Sequence, residues 1–401
     1  YNMERRTFIQ ALAASTYGVK AYADTPVADN VAAKNIIYIY LDGGMSHIDT
    51  FDPKDDKEVM GDTEKIITRG DFQIGHRLPK LAEVMNKAVV IRSTTSKTGA
   101  HQQAQYLSRT SYKQLGTITH PSLGSWVSYL SDRDKAIPDF VLVNGISTHP
   151  GSGFLPKRQS PLPIVDPKDG LKNSKVDDKL QQRMALLKVI NSKINAPIAD
   201  TYNEFYDDTV RFLKSKDLEL FDISKEPAAK RERYGTSRLG QGLLLAKRLV
   251  KGDIKFIEVS SGGWDTHTDN FTKLDDRVKE LDDGVSALVQ DLENEGLLDS
   301  TLIVIATEFG RTPKINVNTG RDHYPKAYST VLIGAGVKGG MTYGETDNTA
   351  SKVIKDPVTI SDINATVAHL AGLDVAIKHA SPTGRPFEIA DKGKIITNIM
   401  S

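Results

Sequence analysis

The chain has 401 residues, with 52 lysines and arginines against 51 aspartates and glutamates, a formal charge of +1. That balance gives no electrostatic footprint for nucleic acid or an anionic membrane, and the length suits one large α/β domain or two smaller ones. No cysteine is present, so disulfides, thiolate metal ligands and cysteine nucleophiles are excluded.

The first segment reads as an address. Arg5-Arg6-Thr7-Phe8-Ile9 has the form of a twin-arginine export signal. A weakly apolar stretch from Ala11 to Val19 follows, then the small-x-small run Ala21-Tyr22-Ala23 before Asp24. We therefore read residues 1–23 as the signal and 24–401 as the mature chain, with the twin-arginine machinery as a partner and the periplasm or exterior as destination. The apolar stretch is too short and polar to span a bilayer, and no other stretch qualifies, so no membrane span is expected in the mature chain.

Strand-like runs follow at Asn35–Leu41, Ala88–Ile91, Phe140–Asn144, Lys255–Ser260, Thr301–Thr307 and Tyr328–Ile333. Helical periodicity appears at Pro79–Asn86, His101–Ser108, Pro121–Ser131, Lys179–Ile194, Glu226–Lys251, Asp275–Leu297 and Ser361–Leu370. Strands separated by helices predict an α/β fold, a mostly parallel central sheet with helices on both faces. Gly151–Asp178 is rich in Pro, Lys, Asp and Gly and predicts a surface loop, and Lys179–Ser224 looks helical. Together they predict a cap or lid insertion at about 151–224.

The strand ends carry the chemistry. Asn35–Leu41 ends in Asp42-Gly43-Gly44. Lys255–Ser260 leads into Gly262-Gly263-Trp264-Asp265-Thr266-His267, and Thr301–Thr307 into Glu308-Phe309-Gly310-Arg311. The pair Asp322-His323 comes shortly after. Ligands of open α/β sheets bind beyond the strand C-termini, and carboxylates with imidazoles suit a hard or borderline divalent cation. Glu308 is equally suited to pair with Arg311, and Asp322 to orient a ligand rather than be one.

The order of these motifs resembles the alkaline phosphatase/sulfatase superfamily. Gly296-Leu297-Leu298-Asp299-Ser300-Thr301 followed by Glu308 looks like its turn into a strand ending in a metal-binding acid. Asp322-His323-Tyr324-Pro325 before Val331-Leu332-Ile333-Gly334 is similar to its last metal histidine. Ser361-Asp362-Ile363-Asn364-Ala365-Thr366, continued by Leu370-Ala371-Gly372-Leu373, resembles its closing helix. More narrowly, Leu41–Lys54, His120–Trp126, Gly262–His267 and Thr307–Pro313 resemble the domain of unknown function 1501 (DUF1501) family over nearly the whole mature chain.

The resemblance implies one or two divalent ions (Zn, Ca or Mg). Asp265, His267 and His323 would form one site, Asp42 and Glu308 the other, with Asp322 as a further candidate. Phe309 stands where the superfamily has a histidine, so that second site lacks a ligand unless Asp322, His47 or Asp49 supplies it. The nucleophile region reads Thr98-Gly99-Ala100-His101. Thr98 is the nearest hydroxyl, and His101 could serve as base or nucleophile; a metal-bound hydroxide could also attack. Arg311 and Arg92 could clamp an oxyanion, and His120 is a substrate-binding candidate. The function implied is an exported metal-dependent hydrolase of phosphate or sulfate monoesters, acting on a small-molecule or carbohydrate ester. The alternative is a non-catalytic sugar- or envelope-binding protein on a degraded site.

Overall fold

A computed structural model of the chain describes residues 31–131, 135–145, 148–171, 178–192 and 207–401. The export signal at 1–23 lies outside the described residues.

A nine-stranded sheet organises the molecule. Its strands are β1 (Asn35–Leu41), β2 (Ala88–Thr95), β3 (Phe140–Val143), β4 (Leu162–Ile164), β5 (Phe256–Ser261), β6 (Thr301–Thr307), β7 (Tyr328–Gly334), β8 (Met341–Tyr343) and β9 (Val358–Thr359). The order is 8-2-7-6-1-5-3-4, with β9 also paired to β2. Every pairing is parallel except those of β7, which runs antiparallel to both β2 and β6. β1 is central, and its alternation explains why. Ile37, Ile39 and Leu41 enter one core while Ile36, Tyr38 and Tyr40 enter the other, as a strand buried on both faces requires.

The main helices are α1 (His101–Thr110), α2 (Leu123–Ser131), α3 (Asp178–Ser192), α4 (Arg238–Lys251), α5 (Asn270–Asn294) and α6 (Ile360–Leu370). α4 and α5 cover one face of the sheet, while α2 and α6 cover the other. α5 shows the logic well. Leu274, Val278, Leu281, Val285, Leu288 and Leu292 recur at three- and four-residue spacing, and all are buried. Each contributes roughly 1.5–3 kcal/mol of burial. Among the described residues no helix is long and apolar enough to cross a membrane.

Four differences from expectation stand out. The predicted helix Glu226–Lys251 is two, Ala228–Arg233 and α4, broken at Gly235, whose φ is +79°. The predicted helix Asp275–Leu297 starts five residues earlier and stops before Gly296, whose φ is +67°. Pro79–Asn86 shortens to a single turn at Pro79–Ala82 and a tight turn at Met85–Lys87. The Gly151–Asp178 loop carries β4, an edge strand with Pro163 at its centre, where a missing N–H is tolerated.

The C-terminal ends of β1, β5 and β6 are level, since Leu41 is in register with both Ser261 and Thr307. β2 ends on the same side, at Thr95 beside the start of β7. Four segments thus leave the sheet together, and these segments hold Asp42, His101, Asp265 and Glu308.

Candidate metal centre

The loops at this edge pass very close. A Cβ on Gly43 would stand 2.5 Å from the Asp265 backbone nitrogen, and its φ is +123°. Only glycine lets the two strand-end loops cross there. Trp264 is buried beneath them, its backbone N–H donating to the Asp42 carbonyl at 3.3 Å. A short hairpin pairs Gly310–Arg311 with His323–Tyr324, which sets His323 directly opposite Arg311.

Three imidazoles and one carboxylate converge. His267 Nε2 lies 2.9 Å from His323 Nε2 and 3.2 Å from Asp265 Oδ1. His323 Nε2 is 3.4 Å from Asp265 Oδ1, and His101 Nε2 is 3.4 Å from Asp265 Oδ2. His101, Asp265 and His323 offer atoms that all lie within 4.8 Å of one another. The structure brings together Asp265, His267 and His323, and adds His101 to them.

The other ring nitrogens fix what those atoms are. His323 Nδ1 is 2.8 Å from the Gly99 carbonyl, which can only accept. His101 Nδ1 is 2.9 Å from Glu308 Oε1, and His267 Nδ1 is 2.8 Å from Asp322 Oδ1. Each Nδ1 therefore donates, and in its neutral form each ring turns an Nε2 lone pair inward. Lone pairs facing one another and a carboxylate repel unless a cation sits among them. His101 Nε2 is buried with no hydrogen-bond partner, as a ligand position would be. Two ligands of one tetrahedral ion stand about 3.3 Å apart, close to the separations seen here. Histidine ligands commonly have the far nitrogen held by a carboxylate or carbonyl in this manner. The residues present fit a divalent ion.

Electrostatics support the same reading. Burial alone would raise the Asp265 carboxyl, but the hydrogen bond and charge of Arg311 win and hold it below its usual range. Burial and the Arg311 charge push His323 down, which favours its neutral, ligating form. The hydrogen bond to Glu308 pushes His101 up, so a proton competes with a cation for that ring. The cluster is open to solvent: the side chains of Asp265 and His267 are 46% and 44% exposed. An open coordination position is what distinguishes a catalytic ion from a structural one. Two concavities, of about 240 Å³ near Lys87 and Glu293 and about 270 Å³ near Lys80 and Asp283, lie away from the cluster.

The remaining candidates take other places. Glu308 is buried and accepts from Gly43 N and His101 Nδ1, so it braces a ring rather than facing a separate ion. Asp42 Oδ1 accepts from Gln105 Nε2 at 2.5 Å, and burial, then the nearby Glu308 charge, raises its carboxyl. Phe309 is fully buried with its ring 5.0 Å from that of His101 and 4.6 Å from that of His323. It packs against both rings and offers no ligand atom. Asp322 orients His267.

Arg311 is not a free oxyanion clamp. It is fully buried, and its donors go to the carbonyls of Gly43, Gly44 and Arg321 and to Asp265. Its work is to fix the crossing loops and the carboxylate. Arg92 points elsewhere, to the Phe51 and Gln73 carbonyls and Asp52. His120 is buried in an aromatic nest, bonded to Tyr106 and stacked 4.3 Å from Tyr112, and burial pushes it down to about 4. Thr98 accepts from the Ala100 N–H and bonds Gln103 at the entry to α1. His47 bonds the Ala350 carbonyl, and Asp49 is paired with Arg321. Neither belongs to the cluster around Asp265.

Sequence reasoning missed Gln105 and Arg109. Both follow His101 at four-residue spacing, so one face of α1 presents all three to the strand ends. Arg109 Nε is 2.9 Å from Glu258 Oε1, and His149 Nε2 is 3.1 Å from Glu258 Oε2. A lone glutamate in the apolar run Phe256–Ser261 was the available signal. Burial would raise Glu258, yet Arg109 and His149 bring it down to about 2. A depressed folded value contributes stability above the unfolded carboxylate range, and that stability is lost as pH falls toward about 2. Glu258→Gln should therefore flatten the acid limb of urea-unfolding stability between about pH 4.5 and 2. An unchanged acid limb would contradict the pairing.

Residues 33–400 match the family model described as "Protein of unknown function (DUF1501)". The chain belongs to the DUF1501 family. No curated protein matches this DUF1501 chain. Among solved structures it is similar to the lipoteichoic acid synthase of Listeria monocytogenes, at 12% identity and TM-score 0.42, over 96% of this chain and 82% of that one. It is similar to a sulfatase from Pseudoalteromonas sp., at 13% identity and TM-score 0.39, over 98% of this chain and 78% of that one. It is also similar to the C-terminal periplasmic domain of EptC from Escherichia coli in complex with zinc, at 8% identity and TM-score 0.40, over 87% and 84%.

Proposed function

We propose that this chain is an exported, metal-dependent hydrolase of sulfate or phosphate esters. The observation that carries the reading is the set of inward Nε2 lone pairs of His101, His267 and His323 around the Asp265 carboxylate, open to solvent at the C-terminal edge of a parallel sheet. His101, His267, His323 and Asp265 would hold the ion. A bound divalent ion polarises ester oxygens and lowers the pKa of water. The protein's own groups do the rest. Glu308, Asp322 and the Gly99 carbonyl keep the rings aimed, and Arg311 holds Asp265. Asp42 faces the same edge with its carboxyl raised, as suits a group that takes a proton from attacking water. In the net reaction water's oxygen bonds to sulfur or phosphorus, the ester oxygen leaves as an alcohol, and the water proton passes to it by way of the protein and solvent.

The test is turnover of aryl sulfate and aryl phosphate esters by chelator-stripped protein re-supplied with Zn, Ca, Mg or Mn. Hydrolysis should appear with at least one ion and vanish with chelator. If none is turned over with any ion, the reading of a binding protein on the same fold takes its place.

Export belongs to the same proposal. Changing Arg5 and Arg6 together to Lys should strand the chain in the cytoplasm, as seen by cell fractionation. Normal export of that double variant would refute the twin-arginine reading.

A further inference from the structure

The charges facing the centre do more than hold an ion; they set which ester fits. Four carboxylates stand there: Asp265 among the inward imidazole nitrogens, Glu308 and Asp322 behind His101 and His267, and Asp42 held by Gln105. Among the described residues the cation bonded into the cluster is Arg311, and it is spent on Asp265 and three backbone carbonyls. Arg109 lies beneath, but its charge is matched by Glu258 at 2.9 Å, both side chains being almost fully buried. Phe309, which offers no ligand atom, packs against His101 and His323. A single divalent ion therefore leaves the site with no positive surplus.

We propose that this site accepts tetrahedral monoanions, namely sulfate monoesters or phosphodiesters, and rejects dianionic phosphate monoesters. The inference rests on the hydrolase reading above and narrows it. The physical reason is charge repulsion. A second negative charge on the ester adds to the repulsion from Asp42 and Asp265, while the guanidinium at the cluster, Arg311, is already committed to Asp265 and backbone carbonyls.

The pH dependence of one ratio tests this. A phosphate monoester gains its second charge near pH 6, whereas an aryl sulfate or a diaryl phosphate keeps a single charge throughout. We take kcat/KM for an aryl phosphate over that for whichever monoanionic ester is turned over. Titration of the protein cancels in the ratio. The ratio should fall about tenfold per pH unit between pH 7 and 9, because only the vanishing monoanion is used. A flat or rising ratio, or turnover of the phosphate monoester alone, would overturn this inference and leave the hydrolase reading standing. Turnover of no ester would remove both. The two arms, aryl sulfate and diaryl phosphate, tell which monoanion the site takes.

Binding gives a readout independent of turnover. By calorimetry at pH 8 on zinc-loaded protein, methyl sulfate should bind at least ~10-fold more tightly than methyl phosphate, and Asp42→Asn should narrow that difference. Tighter binding of methyl phosphate to the wild-type protein would overturn the proposal.

Discussion

Asp49→Ala should cost about 3–5 kcal/mol of folding stability, the usual scale for breaking a fully buried ion pair by removing one partner. Asp49 and Arg321 both have 0% exposed side chains, and their contact is two-pronged, Nε to Oδ2 at 2.8 Å and Nη2 to Oδ1 at 3.0 Å. Ser46, Thr63 and Asn270 also donate to Asp49. The substitution leaves a guanidinium with no countercharge in a site closed to water. Arg321 also reaches the carbonyls of Val59, Thr312 and Pro313, so the loss should loosen the segment that leads into Asp322 and His323. Burial would raise the Asp49 carboxyl, but Arg321 holds it below its usual range. Its stabilisation is therefore complete above the unfolded carboxylate range and lost as pH falls through the lower folded value. Urea unfolding at pH 7 and at decreasing pH measures both. A variant as stable as wild type at pH 7 would contradict this account of the pair.

His101→Ala should cut ester turnover at least ~100-fold, the scale for losing a group that acts on the reacting proton or its ion. The ring sits where three lines meet. Nδ1 is held by Glu308, Nε2 faces Asp265, and Phe309 and His323 pack against its faces. Turnover alone cannot separate a base from a ligand, so metal affinity is the second reading. As a ligand, His101 should weaken ion binding when removed; as a base acting beside the ion, it should leave affinity intact. Glu308→Gln keeps a hydrogen-bond acceptor for Nδ1 but removes the charge, and should lower metal affinity by about 10–100-fold, the effect of a lost supporting carboxylate. Full activity of His101→Ala would show the ring to be structural.

Much of this was legible in the sequence, for physical reasons. Strand positions were readable because β1 and β6 are buried on both faces and so are almost continuously apolar, and β5 opens on apolar residues. The metal candidates were readable because they follow those strands at once, at glycines that permit sharp turns. Edge strands were not readable. β4, β8 and β9 have two or three residues each, too few to show a period. His101 stood out, but its meeting with Asp265 and His323 depends on how the end of β2 lies across the sheet from β5. That is a tertiary fact. Arg311 and Arg92 show the limit in another way. Guanidinium groups read in a sequence as substrate clamps, yet here each is consumed by backbone carbonyls of crossing loops. The exposure of a charge, not its presence, decides whether it can meet a substrate.

The metal centre itself is the claim on which the rest stands, and metal content measures it most directly. Protein purified without chelator should be analysed for bound divalent ions by elemental analysis, beside His323→Ala checked for native folding by circular dichroism. The account predicts close to one ion per wild-type chain and little in the variant, because His323 Nε2 lies within 3.4 Å of both Asp265 and His267. Wild-type protein that takes up no divalent ion even after dialysis against Zn, Ca, Mg and Mn in turn, or a folded His323→Ala variant that holds as much metal as wild type, would contradict it.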